Sequence, residues 1–161
     1  MSNDQVVVDS SPLITLCKSD EEKILPMLFG NIVVPLAVCD EILAGGERDP
    51  AAQKLQTLLW VHREESIFVP PIIQAWDVGG GEAEVLAFAL SSGYLAILDD
   101  AAARRCARAL RIPHIGTIGL FVLAKRRGLI IEVMPHIEKL RRAGLWVADS
   151  LVEDLRQKLE E

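Results

Sequence analysis

The sequence predicts an α/β fold of three layers, α/β/α, in which a central parallel sheet is covered by helices on both sides. Three observations predict it. Short, almost wholly apolar runs recur along the chain, the pattern of strands buried on both faces. Most of these runs lead into a segment with helix-capping residues and helical composition. Glycine or proline marks many of the joints. A β-helix-β rhythm of this kind is satisfied by parallel strands joined through crossover helices. With 161 residues, the chain suits one core, so the expectation is a single domain over 1–161 with C-terminal helices, from about 132 to 161, packed on it.

The elements follow in order. Gln5 to Asp9 (QVVVD) reads as the first strand. Ser10 and Ser11 are placed to cap the helix after it, and Pro12 suits its first turn, where a missing N–H is not missed. Glu21 to Phe29 reads as a second short helix closed by Gly30. Asn31 to Val34 is the next strand, and Pro35 opens a helix through Leu43 that stops at Gly45 and Gly46. Asp49 and Pro50 start another, AAQKLQTLLWVH, with Leu55, Leu58 and Leu59 on one side. Ile67 to Val69 is a brief strand stopped by Pro70 and Pro71. Gly79 to Gly81 precede the helix GEAEVLAFALSSG. Tyr94 to Leu98 is the clearest strand and runs straight into Asp99, Asp100 and the helix AAARRCARAL. Ile112 to Ile115 is a last strand and GTIGLFVLAKRRG a last core helix. Two amphipathic helices around Ile137 to Ala143 and Ser150 to Leu159 complete the chain.

Half the residues are apolar and a quarter charged, the balance of a soluble globular protein. The first residues carry no basic region ahead of an apolar run, so no secretory signal is expected. No stretch approaches the roughly 20 apolar residues that span a bilayer. Cys17, Cys39 and Cys106 are odd in number, far apart and set among apolar residues. That argues for reduced thiols in a cytoplasmic protein and against a disulfide framework or zinc knuckle. The net charge of −6 is unevenly spread: residues 1–100 hold five Lys and Arg against sixteen Asp and Glu, −11, and residues 101–161 hold twelve against seven, +5. An acidic half beside a basic half is what a metal-carboxylate site flanked by a phosphate-binding surface produces; two solvated faces of opposite sign produce it too.

In a parallel sheet the carboxyl ends of the strands share one edge, and ligands bind in the crevice there. Asp9 ends the first strand, and Asp99 and Asp100 end YLAIL. Glu41, in the helix after NIVVP, and Glu82, at the start of the helix after the glycines, can join them. Carboxylates crowded without Lys or Arg raise one another's pKa and call for a cation. Hard oxygen donors suit Mg²⁺ or Mn²⁺, which also accept phosphate oxygens, and the matching chemistry is phosphodiester hydrolysis. Each acid has a plainer role available: Asp9, Asp99 or Asp100 as a helix cap, Glu82 as a partner of the helix dipole, Glu41 as a surface acid.

The segments VVVDSSPLI at 6–14, VPLAVCDEI at 34–42, GGGEAEVLAFA at 79–89, ILDDAAAR at 97–104 and IGTIGLFVLAKRRGLI at 115–130 together resemble the PIN-domain family of metal-dependent ribonucleases. The GGGEAE, LDD and GTIGL pieces are similar to a VapC-like subgroup of bacteria and archaea, many of whose members sit beside small antitoxin-like proteins. The resemblance implies a PIN-like fold and a Mg²⁺- or Mn²⁺-dependent endoribonuclease acting on RNA, the toxin of a toxin-antitoxin pair and a homodimer. It matches Asp9 to the family's first aspartate, with Ser10 helping to orient it, and Glu41 to the second acid. The eighteen-residue interval from Glu82 to Asp100, aligned on the glycine turn at Gly93, favours Glu82 over Glu84 and Asp100 over Asp99. Asp9, Glu82 and Asp100 would then hold the main metal, with Glu41 completing or tuning the pocket. The wider family more often has Asp where Glu82 stands, which keeps open a PIN-fold regulatory or binding module with little catalysis.

Arg104, Arg105, Arg108 and Arg111 recur on one helix and Lys125, Arg126 and Arg127 close another, as RNA-steering groups or as solvated charge. Arg104 and Arg108 share a face and Arg105 points elsewhere. Thr117 reads as a helix cap or as a pocket neighbour. Gly79 to Gly81 lack the Lys-Ser or Lys-Thr of a phosphate loop. His62, His114 and His136 lack metal-ligand spacing, and Ser10 and Ser11 lack the GxSxG setting of a nucleophile. A phospho-receiver places its acidic pair after the first strand, and a haloacid-dehalogenase phosphatase has an aspartate where Ser11 stands; both fit poorly.

Overall fold

The computed structural model describes residues 4–161, so the first three residues of the expected 1–161 unit, and with them part of the leader reading, lie outside the described residues. In chain order the elements are β1 (Gln5–Val8), α1 (Ser10–Lys18), α2 (Ile24–Leu28), β2 (Asn31–Pro35), α3 (Leu36–Leu43), α4 (Pro50–Leu55), β3 (Val61–Glu64) and α5 (Pro71–Gln74). Then come α6 (Gly80–Ser92), β4 (Leu95–Ile97), α7 (Ala101–Ala109), β5 (His114–Ile115), α8 (Thr117–Arg126), α9 (Met134–Arg142) and α10 (Asp149–Leu159). The strands form one five-stranded sheet in the order β3-β2-β1-β4-β5, with every pairing parallel. This is the expected α/β fold, a parallel sheet with helices between its strands.

The most apolar runs occupy the middle of the sheet, since a strand covered by helices on both faces loses all its side chains from water. Val6, Val7 and Val8 of β1 are fully buried, as are Ala96 and Ile97 of β4, with Ile32, Val33 and Val34 of β2 nearly so. From β1 the chain winds outward through β2 to β3, then returns to place β4 on the other side of β1. The carboxyl ends of β1 and β4 therefore flank the point where the winding reverses, the place where an open parallel sheet leaves a crevice. Val8 pairs with Ile97, so the acids that follow these strands emerge side by side.

Two expectations fail between residues 50 and 70. Asp49 caps the helix by accepting from Ala52 N–H at 3.1 Å, but α4 stops at Leu55 instead of running through AAQKLQTLLWVH. Thr57 Oγ1 donates back to the Lys54 carbonyl at 2.8 Å and ends the turn. Val61 to Glu64 then pair with β2 as the edge strand. The open edge of β2 outcompetes local helical preference, a tertiary override. With that edge filled, Ile67 to Val69 forms no strand. Two smaller corrections concern helix starts. Asp9, not Ser10 or Ser11, stands at the N-cap of α1; Gly116, not Thr117, stands at that of α8.

The C-terminal helices are fastened by answered charges. The Glu161 carboxylate accepts from Val133 and Met134 N–H at 2.8 and 3.0 Å and pairs with Lys125 Nζ at 2.7 Å. Buried Glu21, before α2, meets His136 Nδ1 at 2.9 Å and Lys139 Nζ at 3.3 Å from α9, and the His136 ring stacks on Phe121. The three cysteines are buried free thiols. Among the described residues, no helix is long and apolar enough to cross a membrane.

Candidate functional site

Asp9 extends the β1 run by one residue: its N–H donates to the Ile97 carbonyl at 3.2 Å, the last rung between the strands. The side chain that follows is only 1% exposed, and both of its carboxyl oxygens are buried without a hydrogen-bond partner. Burial pushes the carboxyl up to about 7; the nearby Ser10 backbone offsets part of this without reaching hydrogen-bond geometry, and Glu82, Glu41 and Asp100 add to it as like charges. Leaving such a group unanswered costs free energy that the rest of the fold must supply.

The three acids around Asp9 arrive from three elements. Glu41 sits on the second turn of α3, where Ser10 Oγ donates to its Oε2 at 2.7 Å and Gly81 N–H to its Oε1 at 3.0 Å. That approach depends on the glycine, because a Cβ on Gly81 would lie 2.5 Å from Glu41 Oε1. Glu82 opens α6 and accepts from Gly79 N–H at 3.0 Å. This is the reciprocal arm of a capping box whose other arm a glycine cannot supply. Burial raises the Glu82 carboxyl, the Gly79 hydrogen bond lowers it, and Asp100 and Glu41 raise it further. Asp100 caps α7 through a 2.9 Å bond from Ala103 N–H to its Oδ2.

The structure thus brings Asp9, Glu41, Glu82 and Asp100 within electrostatic reach of one another at the acidic mouth of the sheet's carboxyl edge. Asp99 points elsewhere: its Oδ1 accepts from Thr117 N–H at 2.8 Å and its Oδ2 from Thr117 Oγ1 at 2.6 Å. It thereby ties the end of β4 to the start of α8, and Thr117 is buried in that joint. Glu84 faces Asp40 and Glu41 rather than Asp9; burial raises its carboxyl, and the backbone of Ala37 partly offsets the rise. Ser10 is redirected from its expected role: its hydroxyl goes to Glu41, because α1 begins at Ser10 and turns that side chain toward α3.

Among the described residues, no Lys, Arg or His forms an ion pair with any of these four acids. Nor does any group of three or more His, Cys, Asp or Glu side chains stand assembled to hold an ion. Like charges without a counter-ion keep apart, and helix-end amides hold Glu82 and Asp100 by one oxygen each. The available donors are both oxygens of Asp9, Oε1 of Glu82 and Oδ1 of Asp100, for which no intramolecular partner is present among the described residues. Such a hard, anionic set fits Mg²⁺ or Mn²⁺.

The basic residues divide. Arg104, Arg105 and Arg108 of α7 line a cup of about 250 Å³ with Asp99. Arg104 and Arg126 line a larger groove of about 820 Å³. Lys125 lines neither, since its ammonium is held by Glu161 and by the Leu159 carbonyl at 3.0 Å. Arg127 donates to the Leu28 carbonyl at 3.0 Å. Sequence reasoning missed Gly81 as the space for Glu41, and it missed Trp146, which lines the larger groove while 85% exposed. The only sequence signal for Trp146 is a bulky aromatic two residues after the glycine turn at Gly144.

The family model DUF3368, described as a PIN domain, matches residues 5–161. PIN domains are generally nucleases and typically use divalent metals. Comparison with curated proteins returned no match.

Proposed function

The chain belongs to the PIN-domain family, and from that premise we propose that it is a Mg²⁺- or Mn²⁺-dependent endoribonuclease, the VapC-like toxin of a toxin-antitoxin pair. The observation that carries this reading is Asp9, a buried carboxylate with both oxygens unanswered and three further acids around it at the winding reversal. A protein that needed only stability would place an apolar residue or a partner there.

In this reading Asp9, Glu82 and Asp100 hold the ion. Glu41, with both oxygens engaged by Ser10 and Gly81, keeps the wall of the pocket anionic and positions Ser10 beside Asp9. A divalent cation supplies Lewis-acid chemistry there, acidifying water and neutralising charge on the scissile phosphate. Asp99 and Thr117 hold the β4–α8 joint, and so keep Asp100 in register with Asp9. The basic cup on α7 begins one residue from this mouth and offers cations to the flanking phosphates.

The test is hydrolysis of structured and single-stranded RNA with and without EDTA, beside an Asp9→Asn variant. Cleavage that vanishes under both changes supports the proposal; cleavage that survives both overturns it. A second reading, a PIN fold kept as a binding module, draws on Glu41 and Glu82 being tied to backbone amides. Calorimetry separates the two, because the enzyme binds Mn²⁺ and loses it in Glu82→Gln or Asp100→Asn. We further propose a homodimer, supported by the exposed Leu129 and Ile131 near α9, and a cognate antitoxin that lays a peptide across the acidic mouth. Light scattering that shows only a monomer would remove the first of these.

A further inference from the structure

The geometry points to the groove between α8 and α10 as a subsite for a single-stranded nucleotide flanking the scissile bond, with Trp146 stacking on a base and Arg104 and Arg126 taking phosphates. The inference rests on the ribonuclease reading, because the groove opens beside the acidic mouth: Ser11 and Asp99, each adjacent in sequence to Ser10 or Asp100, line its wall. Its volume of about 820 Å³ lies within the ~300–1,000 Å³ typical of small-ligand sites, enough for a nucleotide.

The lining of the groove selects a polyanionic, aromatic occupant. Trp146 stands 85% exposed at the rim, an indole face that burial within the chain does not use. Sequence-tolerant stacking on such faces, combined with flanking cations, is how proteins hold single strands. Arg104 stands at the junction of both basic cavities. Its Nε is buried without a partner, and its Nη1 and Asp99 Oδ1 both lie 3.1 Å from where a Cβ on Gly116 would fall. The absent side chain of Gly116 therefore gives the guanidinium its place against the wall. Arg126 adds a second cation at the α8 end, while its neighbours Lys125 and Arg127 are spent on Glu161 and the Leu28 carbonyl. The apolar floor from Val122 and Leu155 suits a base or a ribose edge. Continuity with the α7 cup then gives a strand a cationic track running past the acids.

The test is binding of a fluorescein-labelled single-stranded RNA to the full chain in EDTA, where hydrolysis plays no part. Trp146→Ala is expected to weaken binding about tenfold, with Trp146→Phe restoring most of it. Arg126→Gln is expected to weaken binding and to lower the slope of log Kd against log salt by about one. Indole emission should be quenched by RNA in the parent and much less in Trp146→Phe, since Trp60 and Trp76 lie outside the groove. Trp146→Ala binding as tightly as the parent, or cleaving with an unchanged KM, overturns the subsite while leaving the nuclease reading intact. That is also the result expected if an acidic protein helix occupies the groove. RNA binding that depends on Trp146 and Arg126, in a protein that never hydrolyses RNA, sustains the subsite and removes the nuclease.

Discussion

Asp9 and Glu21 are both buried carboxylates on loops next to α1, yet their surroundings are opposite. Glu21, at the join with the C-terminal helices, receives His136 and Lys139. Asp9, at the carboxyl edge of the sheet, receives no hydrogen bond and faces three more anions. The same chain can therefore answer a buried charge, and does so where the task is to fasten one element to another. Where it leaves the charge open, the fold carries a cost that a ligand can relieve. The contrast locates function by its energetic signature: anchoring charges are neutralised from within, working charges are left for something from outside.

The contrast can be broken most decisively at Asp9. Asp9→Asn is expected to lower kcat/KM for RNA hydrolysis about 10³-fold, or about 4 kcal/mol of transition-state stabilisation; a variant within tenfold of the parent would show that Asp9 is structural after all. The same substitution should do the reverse to the stability of the metal-free protein. Asp9 has its carboxyl raised from an ordinary 3.8 to about 7, so between those values the folded state binds more protons than the unfolded one and parent stability falls as pH rises. The variant lacks that loss. Its stability relative to the parent should climb by about 4 kcal/mol between pH 4 and 8, from three units at 1.36 kcal/mol each, and denaturant melts across that range would register it. A flat difference would mean that Asp9 is solvated.

Mn²⁺ should act in the same direction as the substitution. At a hundredfold excess over its Kd it stabilises the parent by about 2.7 kcal/mol through mass action, and Asp9→Asn much less; calorimetric melts with and without metal measure the difference. At the fastened end, Glu21→Ala should cost about 2 kcal/mol, because it removes hydrogen bonds to charged groups and leaves His136 and Lys139 unanswered. RNA cleavage should be retained at temperatures where that variant is folded. Smallest of all is the Arg141–Asp149 pair, 2.6 Å long but with Asp149 94% exposed. Asp149→Ala should leave the melting midpoint essentially unchanged, since exposed pairs gain little over water.

Much of the fold was legible because its signals are local. QVVVD, NIVV and YLAIL are short, mostly apolar runs of the kind a doubly covered parallel sheet buries, and the glycine after α6 adopts the left-handed conformation at φ 79° that a helix-ending glycine supplies. The stretch from Gln56 to Val69 was illegible for the opposite reason. Its helical spacing is genuine, but the open edge of β2, thirty residues away in sequence, sets the strand at Val61–Glu64. The acids divide in the same manner. That Asp9 and Asp100 end strands is written in the residues beside them. That Ser10 serves Glu41, that Asp99 is spent on Thr117, and that Lys125 is consumed by Glu161 depends on helices meeting from distant parts of the chain.

By itself, then, the sequence determined the parallel sheet, the order of its helices and the acids available at its carboxyl edge, because hydrophobic period and capping chemistry act over a few residues. Which of those acids face one another, which charges are answered and where the basic groove opens were decided only by tertiary structure. Like charges cluster, and cations find or lose their partners, only after packing has set the distances between elements.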